Sequence, residues 1–226
     1  MLKVAIVLII GLVEAWAGPP DRSLNLLTHG SAIARVIVTA TLAAIGLAAA
    51  SRIGLSLDPI NTKRPLVVAI ILSIGVAAFC ALVDGLFKPI LNRDYIEMST
   101  SSPIGPRQIL YSMRAIYESL VYRLFLGSIF AWLIGSVWRK RSGGIAEGAY
   151  VAGFTLAQLV NMGASMTSYM PLNALTLAYY ALRYFAPGVI WGLIYRRYGF
   201  LTNELSVGGV HFFFQPMVNI VLLLRP

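Results

Sequence analysis

The chain has 226 residues, 58% of them hydrophobic and 12% charged, with a mean hydropathy of +0.76. Soluble domains carry about 25% charged residues, so this composition excludes an ordinary soluble protein and predicts one integral membrane domain over residues 1–226. The formal charge of +9 does not indicate a nucleic-acid partner, because the basic residues sit in short clusters between apolar runs, where membrane topology accounts for them.

The predicted architecture is an all-α polytopic bundle, each span needing about 20 apolar residues to cross a core of about 30 Å. Seven apolar segments follow in chain order: Leu2 to Ala17, Ser31 to Ala50, Leu66 to Phe87, Gln108 to Trp138, Ile145 to Ser165, Ala174 to Tyr195 and Phe200 to Leu224. An eighth span arises if Pro187 divides the sixth segment. The first segment has features of a cleavable leader, with Lys3, an apolar core and Ala15-Trp16-Ala17 before Gly18. Glu14 interrupts its apolar run, which favours a retained helix. The connection from Lys88 to Arg107 contains STSSPIGP, Ser99 to Pro106, and reads as a loop.

With the N-terminus cytoplasmic, the inner side receives Lys3, Arg52, Lys63, Arg64, Arg139, Lys140, Arg141, Arg196 and Arg197. The outer side receives Arg22, Lys88, Arg93, Arg107 and Arg225. That is nine against five, the direction of the positive-inside bias. The C-terminus then lies opposite the N-terminus, and the expected location is a bacterial inner membrane. Cys80 is the single cysteine and sits in an apolar run, so no internal disulfide forms.

Ionisable and polar groups deep in a bilayer are costly and mark the bundle interior. Glu118 lies about 15 Å along the fourth segment at 1.5 Å per residue, and His211 and Gln158 fall at similar depths in their own segments. The three are expected to meet near one plane and, with Gln215, to face one interior cavity. Arg114 precedes Glu118 by four residues, which also permits a local ion pair. Arg123 is about 140° around the helix from Glu118 at 100° per residue, and needs its own partner, with Glu147 and Asp84 as candidates. His211 and Gln215 share one helical face just before Pro216. His29 falls in the first outer loop, so a lone mid-span histidine gives no basis for a metal site, and no cofactor is expected.

Three short motifs occur in order: ESLVYR, Glu118 to Arg123; FTLAQ, Phe154 to Gln158; and HFFFQ, His211 to Gln215. Between the last two lies PGVIWGLIYRRYGFL, Pro187 to Leu201. Over about Arg107 to Asn219 the chain resembles the CPBP family of CAAX prenyl protease-like and bacteriocin-processing membrane proteins, the glutamic intramembrane endopeptidases. The family pattern is Glu-Glu-x-x-x-Arg, Phe-x-x-x-His and His-x-x-x-Asn. Here Ser119 replaces the second glutamate, Gln158 the histidine and Gln215 the asparagine.

The resemblance implies that Glu118 and His211 are candidate catalytic groups, with Arg123, Phe154, Gln158 and Gln215 as motif and cavity residues. In such a site a glutamate and a histidine activate water, and the last motif stabilises the oxyanion. An amide has no titratable proton near neutral pH, so Gln158 can orient a water but cannot relay a proton. The resulting expectation is a pseudoenzyme, an accessory subunit that binds another integral membrane protein or a membrane-proximal peptide. The alternatives are an active endopeptidase with Glu118 as base, and an unrelated complex or transport subunit.

Overall fold

The computed structural model describes residues 2–18, 31–57, 63–166 and 170–224. It is a helical bundle built from α1 (Leu2–Ala17), α2 (Ala32–Arg52), α3 (Lys63–Leu86), α4 (Arg93–Ser101), α5 (Ile104–Val137), α6 (Glu147–Met166), α7 (Ala174–Tyr180), α8 (Ala186–Tyr198) and α9 (Phe200–Leu224). Four of these, α2, α3, α5 and α9, are long and apolar enough to cross a membrane. The 16 residues of α1 give about 24 Å, so a crossing by α1 requires the bilayer to thin around it. Apolar side chains such as Ile37, Ile71, Leu82 and Leu133 face outward, as lipid contact requires.

The core is organised around α9. Ser73 on α3 donates to the Ser206 carbonyl, and Lys88 just after α3 donates to the Leu222 carbonyl, sequence separations of 133 and 134, so α3 and α9 run parallel. Helix α5 runs antiparallel to α9: Gln108 meets Phe212, Ser112 meets Gly208 and Ser119 meets Glu204. The turn from α8 into α9 is made at Gly199, whose φ of 87° disfavours any residue with a Cβ.

The predicted fourth segment is one continuous helix, but Leu120–Gly127 inside it is π-helical. The predicted sixth segment does not divide into two spans at Pro187. Helix α7 continues through a π-helical segment, Ala181–Phe185, into α8, where Pro187 occupies the first turn. Proline cannot donate to the carbonyl four residues back, and the wider π turn accommodates this without breaking the chain.

The Lys88–Arg107 connection is mostly helical rather than a loop. A 3-10 turn, Lys88–Ile90, leads into α4, whose first turn is capped by the Asn92 side chain at 2.8 Å from the Asp94 amide. Asn219 of α9 donates to the Ser99 and Thr100 carbonyls at 3.0 and 3.1 Å, capping the other end. Only Ser102 and Pro103 separate α4 from α5.

Three basic clusters gather at one end. Lys140 and Arg196 both pair with Glu147, at 3.3 and 2.6 Å, and Tyr150, beneath the Arg196 guanidinium, donates to the Ile53 carbonyl next to Arg52. By the parallel register, Lys63 at the start of α3 lies at the end of the bundle where α8, which carries Arg196, turns into α9. Arg22 and Arg225 lie outside the described residues.

Candidate functional site

The interior polar side chains fall into two groups and several single contacts, each set by the elements that carry it. Glu118 is half-buried and pairs with Arg114 at 3.3 Å across one helical turn, the local arrangement its spacing allowed. Its charge is also felt at Arg123 and Tyr184. His211 approaches the Gln215 amide at 3.5 Å, stacks on Tyr111 and meets Phe214 edge-on. Tyr111 is seven residues before Glu118 on α5, so His211 and Glu118 are offset by about 10 Å along the bundle. The equal depths estimated from the sequence ignored the register of α5 on α9, which places Glu204 rather than His211 opposite Glu118 and Ser119.

Gln158 is buried and donates its amide to the Tyr184 carbonyl at 3.0 Å. That carbonyl lies in the π segment, where regular helical bonding is interrupted. Close packing holds the contact: a Cβ at Gly188 would collide with the Gln158 side chain, and one at Gly192 would sit 2.6 Å from the Phe154 Cβ. Small residues at these positions let α6 and α8 approach, as in membrane helix pairs generally. Phe154 is therefore a packing residue, tilted against Tyr195 at 5.5 Å between ring centres.

Both prolines follow the same rule. Pro216 leaves the Phe212 carbonyl without its helical donor, and the Gln108 amide fills it at 2.7 Å. Pro187 leaves the Arg183 carbonyl, and the Cys80 thiol lies 3.8 Å from it. In hydrocarbon every unsatisfied backbone group costs several kcal/mol, so these side chains carry structural weight. Arg35 acts similarly, reaching the Ala15, Trp16 and Gly18 carbonyls at the end of α1 at 2.8, 3.1 and 3.4 Å.

One polar group centres on Asp84, which has no exposed side-chain surface. Arg183 Nε donates to its Oδ1 at 3.0 Å, Tyr179 donates to the same oxygen at 3.0 Å, and Tyr95 donates to Oδ2. The Arg183 guanidinium also covers the Phe214 ring at 4.4 Å. The second group joins Ser119, Asn203 and Glu204: Ser119 donates to Glu204 Oε1, and Asn203 Nδ2 lies 2.9 Å from Ser119 Oγ and 2.8 Å from Glu204 Oε1.

Arg123 is buried with its guanidinium 5.0 Å from the Trp191 ring. Neither sequence candidate is its partner: Asp84 holds Arg183, and Glu147 holds Arg196 and Lys140. Its charge is offset by Glu204 and Glu118 instead. Glu204 is the interior carboxylate that sequence reasoning missed. It lies four residues into α9, and the antiparallel packing of α5 brings Ser119 against it.

Among the described residues no cluster of three or more metal-ligating side chains occurs, and His29 lies outside those residues. No protein-family model matches this chain, and no curated protein or solved structure matches it either.

Proposed function

We propose that this chain is a seven-span member of the CPBP type with an incomplete hydrolytic site, acting as an accessory subunit in a bacterial inner membrane. Its partner is another integral membrane protein or a membrane-proximal peptide, and its N-terminus is cytoplasmic with its C-terminus opposite. The observation that carries this reading is the state of the three motif groups. Gln158 is engaged by a backbone carbonyl, Glu118 by Arg114, and His211 stands about two helical turns from Glu118. General-base catalysis needs the acid, base and water within about 3 Å of one another. The gathering of the basic clusters around Glu147 and Tyr150 supports a common cytoplasmic end.

The test is purification in mild detergent alongside Gln158→His and Glu118→Gln variants. A stoichiometric membrane partner retained by all three proteins supports the accessory role. Cleavage of a membrane-proximal peptide that appears with Gln158→His and disappears when Glu118→Gln is added would identify Gln158 as the defect in an otherwise intact site. A protein isolated alone that cleaves peptides without modification contradicts the proposal.

A further inference from the structure

The end of the bundle where α2 and α5 finish and α6 begins carries more cationic side chains than it neutralises. Among the described residues Glu147 is the exposed carboxylate there, and Lys140 and Arg196 both occupy its Oε1. Arg52, Arg139, Arg141 and Arg197 are exposed and pair with no carboxylate among the described residues. Printed contacts tie these positions to one another through three helices. The Arg52 guanidinium of α2 lies 5.6 Å from the Trp132 ring centre of α5. Tyr150 of α6 donates to the Ile53 carbonyl next to Arg52, and Arg196 of α8 covers the Tyr150 ring at 4.2 Å.

Membrane topology accounts for an excess of positive charge at one end, but not for the way Arg52 is held. Stacking on an indole fixes the plane of a guanidinium and leaves its N–H edge free for an oxyanion, which a solvated charge does not need. The surface below Arg52 is apolar. Ile45 and Ala48 share its exposed face of α2, and Leu133 and Val137 are exposed on α5 next to Trp132. Trp138, also exposed, ends α5 with the ring type that settles at a membrane interface. A free phosphate or an acidic protein segment would answer the charge and leave the apolar strip unused. An anionic phospholipid answers both, and basic clusters beside membrane helices recognise such headgroups.

We propose that Arg52, stacked on Trp132, binds the phosphate of an anionic phospholipid whose acyl chains lie along α2 and α5, with Arg139, Arg141 and Arg197 adding to the positive field at the same end. This goes beyond the accessory-subunit reading and requires only that the chain sit in a bilayer.

Native mass spectrometry of the whole protein, released from dodecyl maltoside micelles after titration with phosphatidylglycerol or with phosphatidylcholine of the same chains, tests the site. Phosphatidylglycerol is expected to be retained in preference to phosphatidylcholine. Arg52→Gln should lower that retention about fivefold, the worth of one interfacial charge, and Arg52→Lys, which keeps the charge but not the planar fork, should fall between the two. Arg93→Gln, at the other end of α3, should change nothing. Equal retention of the two lipids overturns the proposal, and so does undiminished phosphatidylglycerol in a folded Arg52→Gln variant. Displacement of phosphatidylglycerol by an equimolar amount of inorganic phosphate would make this a free-anion site instead. Arg52-dependent binding of a polyglutamate peptide, with no preference between the lipids, would assign the surface to an acidic protein partner and equally overturn the lipid site. Should Arg52→Gln fail to fold, Arg52→Lys carries the comparison, and retention equal to that of the unmodified protein contradicts the stacked guanidinium as the binding group.

Discussion

Asp84 and Arg183 show what an interior charge requires here. Separated by 99 residues in sequence, they meet at 3.0 Å with two tyrosine hydroxyls completing the carboxylate's coordination. Removing one partner of a buried pair strands the other and typically costs about 3–5 kcal/mol, while replacing both by apolar residues is often nearly neutral. Asp84→Ala is therefore expected to lower unfolding stability in detergent by about 3–5 kcal/mol, and Asp84→Leu with Arg183→Met to recover most of the loss. A double variant no more stable than Asp84→Ala would show that the tyrosine contacts, not the charges, dominate. At this scale the sequence disclosed only local relations. The spacings of Arg114 to Glu118 and of His211 to Gln215 are one helical turn, and both contacts form. The environments of Arg123 and Asp84 depend on which helices become neighbours, which no local spacing encodes.

At the scale of elements, two prolines and two π segments control where polar side chains are used. Pro216 was readable as a disruption of the last helix, and its effect is local: it frees the Phe212 carbonyl that Gln108 occupies. In Pro216→Ala the alanine amide competes for that carbonyl, so Gln108 loses its role. A double-mutant cycle follows. Gln108→Leu should cost about 1 kcal/mol in the native background and close to nothing in Pro216→Ala, measured by reversible unfolding in mixed micelles. Equal costs in both backgrounds would mean that Gln108 acts elsewhere. The α6–α8 contact makes a second prediction. With Phe154 Cβ 2.6 Å from a Cβ at Gly192, Gly192→Ala should destabilise the bundle by about 1–3 kcal/mol through overpacking, and a neutral result would show that the two helices separate easily. The π segments had no legible sign, since LVYRLFLG and ALRYF carry neither glycine–proline punctuation nor broken periodicity at their start. The helix α4 was missed because serine-rich composition suggested a loop, whereas the Asn92 cap and the Asn219 contacts stabilise a helix there.

For the whole molecule, the composition predicts a membrane protein, and among the described residues four helices meet the length and hydropathy of a span. The proposed seven-span course draws on direction as well as length: α3 runs parallel and α5 antiparallel to α9, and Lys140 and Arg196 meet at Glu147. Sided labelling checks it. Single cysteines replacing Arg141 and Arg197 in a Cys80→Ser background should react from the cytoplasmic face, and one replacing Arg93 from the other. Arg141 and Arg197 reacting from opposite faces would break the scheme. The central proposal is that the motif residues Glu118, Gln158 and His211 serve packing inside a partner-binding subunit instead of peptide hydrolysis. The direct measurement is cleavage of membrane-proximal peptides by the unmodified protein reconstituted in liposomes, compared with Glu118→Gln. We predict no turnover by either protein, with both still folded and partner-bound; cleavage by the unmodified protein that Glu118→Gln abolishes would contradict the account.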